Sequence, residues 1–457
     1  MKKTFKLSAL ALISLIFPIF TIACDSSEAQ STEKELNYDF SSEEIIIVCD
    51  ENNSDDFLYF SYDSVEAEEL LRRKSEIEEK YGCKITVSNV ENDVESFVSS
   101  QIASNSKSDI DIIMAFSYYI RRWAGAGYLY DIADYSDIID YTDSFRWGTK
   151  NDLEALAVNG KIYGLLPACF PDNLRSFFYV ITTNNQLMKD AGYGDMSVYQ
   201  EEGTWSREKF EEFIANCSQI DKGIYSLDTG LESFLTTCIY SGGGTIYDSD
   251  TGKSGLNNQG VTDSLAWGKG ILENYSQQIY LHDDFRDMFL TGYAAMATAD
   301  SSSITETISK NENIGEFSVL PFPKSENANE NTATGYIHSY KHILAIPKIA
   351  GDIEASAVVI SELFKPLSTM SNSEAIRQYY KQNVFWSDKD VEILFEESEK
   401  AEYSYWQEGF HNVLTTIANS TMSSTPAAAI QSSIPTAEHI IENTIKENKE
   451  GVELYFE

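Results

Sequence analysis

The sequence predicts an α/β fold with two lobes. Its 457 residues are too many for one ordinary hydrophobic core, and 42% of them are apolar, which is enough material for two. From residue 44 onwards, short apolar runs alternate with helical stretches. Continuous apolar strands separated by helices are typical of a parallel sheet that is covered on both faces. We therefore expect two α/β lobes.

The charge balance excludes several classes of partner. The chain has 34 Lys and Arg against 72 Asp and Glu, a net charge of −38 with the histidines neutral. Such an acidic body repels the phosphates of nucleic acids and of anionic lipid headgroups, so we expect no nucleic-acid partner and no basic face for docking on a membrane. The 27 Tyr, 24 Phe and 6 Trp are too many for a chain that is disordered throughout.

The N-terminus predicts export. Three lysines without acids precede a mostly apolar run over residues 7–22, which is too short to span a bilayer, so residues 1–23 are interpreted as a secretory signal peptide. The run ends in Thr-Ile-Ala before Cys24, which resembles a bacterial lipobox and implies that Cys24 is acylated and becomes the new N-terminus. Ordinary cleavage with an unmodified Cys24 is the alternative. Residues 24–42 are expected to form a flexible tether between the lipid and the folded body.

The elements of the first lobe follow a β-α-β-α-β order. Apolar strands are predicted at 45–48, 85–87 and 110–114, with a helix over 64–81 between the first two and a shorter helix before the third. The apolar residues of the first helix fall near one stripe, and Gly82 stands where a helix ends.

A second α/β lobe is predicted further along the chain. It starts with an apolar strand over 177–181 and a helix from about Ser206. A short strand is expected at 245–247, directly after a glycine triplet, and further strands are expected at 317–323 and 343–347. From residue 352 to the end the pattern is largely helical.

No motif for a metal or a cofactor is complete. The six cysteines form no Cys-x-x-Cys pair and have no histidine close in sequence, so a zinc site or a redox site has no support. Asp248, Asp250 and Gly252 begin like a calcium loop, but the twelfth position is Gln259 and supplies no carboxylate, so we predict a polar turn. We expect neither a metal nor a cofactor.

Five stretches together resemble a known family. They are SDIDIIM (108–114) with AGAGYLYDIA (124–133), GKIYGLLP (160–167) with YVITTN (179–184), AG (191–192) with GTWSREKF (203–210), GGGTIYD (242–248), and FLTGYAAM (289–296) with VLPFP (319–323) and AIPK (345–348). In this order and spacing they resemble the extracellular solute-binding proteins of ABC transporters, particularly the carbohydrate-binding family that includes maltose-binding protein. The resemblance covers roughly residues 44–365.

The resemblance implies a two-lobe fold of the type II periplasmic binding proteins, with a ligand cleft between the lobes and a helical C-terminal region. It implies a first lobe formed by residues 43–165 and 300–340 and a second formed by 170–295 and 345–457, so that the chain crosses between lobes more than once. Closure of the lobes around a ligand would create the form that a membrane permease recognises.

Candidate ligand-binding residues follow from the chemistry of sugars. Aromatic faces cover the C–H faces of a pyranose, and planar polar side chains bind its hydroxyls. Loops after strand ends and the crossovers between lobes are where these groups are expected. They supply Phe116, Tyr118, Tyr119, Asp172, Arg175, Tyr240, Asp300 and Ser301. For Tyr118 and Tyr119, the alternative to ligand binding is a structural role, on the surface or in packing between helices.

Aromatic residues of the helical C-terminal region are further candidates. Trp386 and Tyr405 are included in the site, and Trp406 is offered beside them. Packing between helices is the alternative for all three. Trp205, just before a predicted helix, is expected to anchor that helix with Ser206 or its neighbour Thr204 as N-cap, and is left out of the site. His338 either caps a strand or faces the ligand.

The resulting hypothesis is a lipid-anchored, monomeric binding protein, not an enzyme, that captures a carbohydrate outside the cell and delivers it to an ABC permease. One alternative keeps the fold and replaces the sugar by a polyamine or another cation, which the negative charge favours electrostatically. Another is a surface polysaccharide-binding protein or a glycoside hydrolase.

Overall fold

The computed structural model describes residues 38–456 apart from gaps at 42, 51–63, 91–93, 105–109, 169, 171–176, 249, 283–285, 327 and 341. The predicted signal peptide, Cys24 and two candidate site residues, Asp172 and Arg175, lie outside the described residues.

The strands and helices alternate over the first two thirds of the chain, and helices follow to the end. The strands are β1 (Glu44–Asp50), β2 (Lys84–Val90), β3 (Ile112–Ala115), β4 (Ala157–Val158), β5 (Lys161–Ile162), β6 (Phe177–Phe178), β7 (Val180–Asn184), β8 (Tyr225–Thr229), β9 (Ile279–Leu281), β10 (Ala294–Ala299), β11 (Phe317–Pro321), β12 (Tyr336–Ile337) and β13 (Ile343–Ala345).

The helices are α1 (Val65–Tyr81), α2 (Val94–Ser104), α3 (Ser117–Gly125), α4 (Ser144–Trp147), α5 (Lys150–Leu156), α6 (Asn185–Asp190), α7 (Ser197–Glu201), α8 (Arg207–Asn216), α9 (Leu231–Ser241), α10 (Gln259–Asn274), α11 (Asp287–Leu290), α12 (Ser301–Ser303), α13 (Ile353–Leu363), α14 (Ser373–Asn383), α15 (Asp388–Lys400), α16 (His411–Ser423), α17 (Pro426–Ile440) and α18 (Lys446–Glu453). Among the described residues, no helix is both long enough and apolar enough to cross a membrane.

A four-stranded sheet forms the first lobe, in the order β13-β3-β1-β2. Strand β1 is parallel to β2 and β3, and β13 is antiparallel to β3. The β-α-β-α-β order predicted from the sequence is therefore present. Helix α1 begins after Ser64, whose side chain accepts a hydrogen bond from the amide of Ala67, and ends at Gly82 with a φ of 71°.

A five-stranded sheet forms the second lobe, in the order β11-β7-β10-β8-β9. Strand β7 is antiparallel to β10 and β11, whereas β8 is parallel to β9 and β10. Helix α8 begins after its N-cap Ser206, and the indole of Trp205 donates a hydrogen bond of 2.9 Å to the carbonyl oxygen of Pro321. Trp205 is thus a packing anchor, as predicted.

The sheet pairings differ from the expected lobe boundaries. Residues 300–340 were expected in the first lobe, yet β11 pairs with β7 in the second sheet. Residues 345–457 were expected in the second lobe, yet β13, which ends at Ala345, pairs with β3 in the first sheet. Short apolar strands are buried in either sheet, so their pattern does not select a partner.

The C-terminal helices contact both lobes. Helix α13 packs against α1, and α18 packs against α5, β4 and β5, which belong to the first lobe. By contrast, α15 packs against β11, and α16 and α17 pack against α9 and α10 of the second lobe. The C-terminal region is helical as predicted, but it is shared between the lobes.

Two smaller expectations are also corrected. Residues 245–247 form no strand, because the amide of Ile246 donates to the carboxylate of Glu402 and is not available to a sheet. The tether expected over 24–42 does not extend to Phe40, which is 6% exposed. Its ring packs at a tilt against that of Tyr81 with centroids 6.0 Å apart, and its amide donates to the carbonyl oxygen of Tyr81.

Two antiparallel strands carry the chain between the sheets. Strand β6 leads from the first lobe into β7, and β12 leads from β11 back to β13, with Tyr336 opposite Phe178. A third segment, residues 402–404, lies alongside, since the amide of Ser404 donates to the carbonyl oxygen of Ile337 at 2.8 Å. The side chains that follow these three segments meet between the two sheets.

Candidate functional site

Six aromatic side chains meet at this crossing and form what we call the hinge cluster: Phe178, Tyr179, Tyr240, Tyr336, His338 and Trp406. Tyr336 lies at its centre. Its ring centroid is 4.8 Å from that of Tyr240, 5.7 Å from that of Phe178 and 6.0 Å from that of Trp406, with the three ring pairs close to parallel. The cluster unites residues from both crossing strands, from α9 and from the C-terminal region.

Trp406 has a large ring that is only half buried, as Phe178, Tyr179 and His338 also are. Its plane is 6° from that of Tyr336, and its centroid is 4.9 Å from His338 and 4.6 Å from His411. The residue before it, Tyr405, has a φ of 48° and turns the chain from the crossing segment into a π-helical turn, Trp406–Phe410. An aromatic face held from behind and partly open is what stacking on a sugar requires.

Tyr240 and Tyr336 form the buried back of the cluster. They are 2% and 1% exposed, and burial raises the pKa of both phenols well above the ordinary value. In the described part of the chain the hydroxyl of Tyr240 has no hydrogen-bond partner. Tyr240, predicted from the sequence, is therefore placed in the cluster, where it supports the ring of Tyr336.

His338 adds an uncharged polar group. Its ring lies 5.1 Å from that of Phe178 and 4.9 Å from that of Trp406, and burial lowers its pKa to about 4. The imidazole is therefore neutral at pH 7, with Nδ1 lying 3.2 Å from the hydroxyl of Ser339. A neutral imidazole can both donate and accept a hydrogen bond, so it suits the hydroxyls of an uncharged ligand.

A carboxylate stands beside the open ring. Oε1 of Glu232, in the first turn of α9, lies 3.4 Å from Nδ1 of His411, and His411 packs on Trp406. The two side chains are 33% and 45% exposed, so both remain accessible. Glu232 and His411 can therefore bind hydroxyl groups at the edge of a ring that lies on Trp406.

The candidates after β10 have protein partners. Asp300 is 6% exposed, accepts from the amide of Ser303 at 2.8 Å and is paired with the guanidinium of Arg286. Ser301 accepts the amide of Phe177 at 3.0 Å through its hydroxyl oxygen. Ser301 thus holds the start of β6, and the polar groups of both residues already carry intramolecular bonds.

The candidates after β3 lie at the start of α3. Phe116, Tyr118 and Tyr119 are half buried, with the rings of Phe116 and Tyr118 5.8 Å apart and the rings of Tyr118 and Tyr119 4.1 Å apart. The hydroxyl of Ser117 between them is 3.3 Å from that of Tyr403, in the third crossing segment. The first lobe thus presents a second aromatic group next to the crossing.

The C-terminal candidates separate. Tyr405 is 5% exposed, burial raises the pKa of its phenol, and the guanidinium of Arg121 lies 5.6 Å from its ring centre. Trp386 is 62% exposed between α14 and α15, and in the described part of the chain it makes no ring contact with the hinge cluster. Trp406, offered only as a further candidate, is the one that the fold brings to the cluster.

Several residues of the site were not predicted from the sequence, among them Phe178, Tyr179 and His411. Tyr336 and Glu232 were not proposed, and no local pattern marks them, because their place depends on which strands cross. His338 was left undecided. The Tyr-Trp pair at 405–406 was the available indication for Trp406, since successive side chains in a helix point about 100° apart and one of two adjacent large rings can stay partly open when the other is buried.

A cavity of about 940 Å³, lined mostly by polar residues, lies between the loop after α9 and helix α17. Its lining includes Asp248, which accepts from the amide of Asp250 at 2.9 Å and forms the predicted polar turn. Glu438 in its wall accepts the amide of Ser254 at 2.9 Å. The hinge cluster brings six aromatic side chains together, whereas Tyr247 is the aromatic residue in the lining of this cavity, so the hinge cluster is the stronger candidate for a sugar.

No metal centre is found where the structure describes the chain, in which no three His, Cys, Asp or Glu side chains are grouped to hold an ion. Cys83, Cys217 and Cys238 are buried as free thiols, and Cys49 is buried in the first sheet, which agrees with a role as small core residues.

Two α/β lobes joined by crossing strands, with an aromatic cluster where they meet, define a solute-binding protein of the two-lobe class. The chain belongs to the bacterial extracellular solute-binding protein family, whose sequence profile matches residues 73–383. No curated protein matches the sequence significantly.

Solved structures share the fold. An ABC-transporter solute-binding protein from Thermotoga lettingae bound to α-D-tagatose has 16% identity and a TM-score of 0.57, over 88% of this chain and all of that one. The GacH receptor of Streptomyces glaucescens, solved with acarbose, has 14% identity and a TM-score of 0.59, over 88% and 99% of the two chains. UgpB from Mycobacterium tuberculosis in complex with glycerophosphocholine has 13% identity and a TM-score of 0.59, over 88% and 99%.

Proposed function

We propose that this protein captures a carbohydrate in the cleft beside Trp406 and delivers it to an ABC importer, without breaking a bond in the ligand. The observation that supports this proposal best is the half-buried ring of Trp406, which stacks on Tyr336. The polar side chains of Glu232, His338 and His411 lie around it. An apolar face with polar groups at its edge matches the surface of a pyranose. Relatives in fold that bind tagatose and acarbose support this ligand class.

A cation is the second candidate ligand. The net charge of −38 and the carboxylate of Glu232 favour it, and aromatic rings attract ammonium groups. The hinge cluster itself favours an uncharged ligand, because His411 occupies the vicinity of Glu232 and Asp300 is paired with Arg286. We therefore place the carbohydrate first.

The test is a thermal-shift screen of mono- and oligosaccharides against spermidine. A ligand at about 100 times its Kd stabilises the folded protein by about 2.7 kcal/mol, which raises the melting temperature by several degrees. Stabilisation by spermidine and by none of the sugars would refute the carbohydrate. If chromatography shows that the sugar is hydrolysed during incubation, the protein would be a glycoside hydrolase and not a binding protein.

A matched pair of tryptophan variants locates the site. Trp406→Ala should weaken binding of the best sugar by on the order of 1–3 kcal/mol in calorimetric titration, because the variant loses the stacking face. Trp386→Ala removes the same side chain from an exposed position away from the cluster and should leave the affinity unchanged. The opposite pattern would place the site at the α14–α15 turn.

The protein is proposed to act as a monomer on the outer face of the membrane, held there by lipid on Cys24. Extracellular location is a property of the family, and the support for the anchor is the sequence before Cys24. Mass spectrometry of the native protein should detect an acylated N-terminal Cys24. An unmodified terminus at Cys24 or elsewhere would refute the anchor without touching the binding function.

A further inference from the structure

We propose that Arg121 and Glu408 are positioning residues that hold the ring of Trp406 in its binding orientation. The proposal rests on the proposed function only for the use of Trp406 as a ligand face. The position of the ring can be measured without any ligand.

Arg121 reaches from the first lobe to the turn that carries Trp406. It lies on α3, is 7% exposed, and its Nη1 donates to the carbonyl oxygens of Ala155 and Ala157 at 2.6 and 2.7 Å. These two bonds fix the guanidinium at the end of α5, because they use donors of a planar, rigid group. Its Nε then faces Glu408 at 2.6 Å.

Among the described residues, Arg121 is the cation paired with Glu408. Its side chain is 11% exposed, and in the described part of the chain neither carboxylate oxygen has a hydrogen-bond donor with good geometry. The contact with Arg121 is therefore an ion pair by proximity and not an aligned hydrogen bond. A buried carboxylate without other donors is stable only beside a compensating charge, so the position of Arg121 determines where Glu408 lies.

Arg121 and Glu408 constrain the backbone on both sides of Trp406. Glu408 follows it in the sequence, and Tyr405, which packs against Arg121, precedes it. Glu408 lies two residues after Trp406 in the same π-helical turn. Tyr405, directly before it, packs under the guanidinium of Arg121 and holds a φ of 48°, a conformation that costs a residue with a side chain about 1–3 kcal/mol. Such a conformation persists only where its surroundings enforce it, and Arg121 is part of them.

General stability is a poor explanation for this pair. Replacing a buried ion pair by apolar groups is often neutral or stabilising, because burial of two charges costs nearly as much as their attraction returns. The better-supported use of such a pair is to select one conformation. Here the conformation selected is that of the turn at 405–408, which carries the half-buried ring of Trp406.

The experiment is fluorine NMR of the full-length mature protein labelled with 5-fluorotryptophan. The chain has six tryptophans, and the resonance of Trp406 is assigned by its absence in Trp406→Phe. We expect Glu408→Gln, which keeps the shape and removes the charge, to shift and broaden the Trp406 resonance. The resonances of Trp205 and Trp267, which pack in the second lobe, should stay in place.

The matched control is Glu442→Gln, which removes an exposed partner of Lys446 from another π-helical turn and should move no tryptophan resonance. Arg121→Lys should reproduce the effect of Glu408→Gln, since lysine cannot make both carbonyl bonds and still reach Glu408. An unchanged Trp406 resonance in both folded variants would overturn the proposal. Loss of folding in either variant would also count against it, because the pair would then support the whole chain and not this turn.

Failure here is distinguishable from failure of the proposed function. A sugar that binds to the wild type while Glu408→Gln leaves Trp406 in place would retain the function and reject the positioning role. If Glu408→Gln displaces Trp406 but the wild type binds no sugar, the positioning role would be retained and the proposed function rejected.

Discussion

His338 makes the stability of the protein sensitive to acid in a way that can be measured. Burial between Phe178 and Trp406 lowers its pKa from 6.5 to about 4, and nearby His411 acts in the same direction while Asp300 opposes it. A histidine with a lowered folded pKa contributes stability above its unfolded pKa, because the folded state prefers the neutral ring. That contribution is lost as the pH falls from about 6.5 to about 4.

The size of the effect follows from the shift. A pKa lowered from 6.5 to about 4 corresponds, at 1.36 kcal/mol per unit, to about 3 kcal/mol of stability, nearly all of it lost at pH 4. His338→Asn removes the titrating group, and the cost of its altered packing is the same at every pH. The stability of the wild type relative to this variant should therefore fall by about 2.5 kcal/mol between about pH 8 and pH 4.5.

Urea unfolding of both proteins at the two pH values measures the difference. His439→Asn is the matched control, because it removes a histidine from an exposed position on α17. Its stability relative to the wild type should be the same at both pH values. A difference between His338→Asn and wild type that does not change with pH would show that the ring of His338 is solvated, and the reasoning for a neutral wall beside Trp406 would fail with it.

Two further changes test the packing around the site. Asp390 is 1% exposed, and burial raises its pKa to about 6. Because its buried charge costs stability at high pH, Asp390→Asn should stabilise the protein by up to about 3 kcal/mol above pH 6 and not below pH 4, as measured by urea unfolding. Asp388→Asn changes an exposed carboxylate and should not stabilise the protein. A methyl group on Gly335 would lie 2.1 Å from the carbonyl oxygen of Phe178, so Gly335→Ala should destabilise the crossing strands by about 1–3 kcal/mol. Gly270→Ala is the control, because there is open space beside Gly270 inside α10, and it should be neutral or stabilising. Equal melting temperatures of the two variants would contradict this prediction.

Local patterns predicted the elements that local physics controls. The helix over 64–81 was found because its apolar stripe and its two end residues, Ser64 and Gly82, act within one helix. Strands β1 and β3 were found because they form the inner part of the first sheet and are almost continuously apolar, and β2 was found by the short run over 85–87. Trp205 was assigned correctly because a large ring next to a helix N-cap has one near surface to cover.

The expectations that failed depend on distant residues. The strand expected at 245–247 does not form because Glu402, about 150 residues away, takes the amide of Ile246. Asp300 is a weaker candidate for ligand binding because its carboxylate is paired with Arg286. The spacing of these two residues in the sequence does not predict that they pair.

The sequence by itself determined the α/β class, the order of the elements and the membership of a solute-binding family, because apolar periodicity and short motifs are properties of neighbouring residues. Only the tertiary structure decided which lobe receives β11 and β13 and which aromatic residues meet at the crossing. Tyr240, Tyr336 and Trp406 come from three separate parts of the chain, and their rings stack only once both lobes are folded. The physical reason is that a cleft between lobes is built from long-range contacts, which no local pattern encodes.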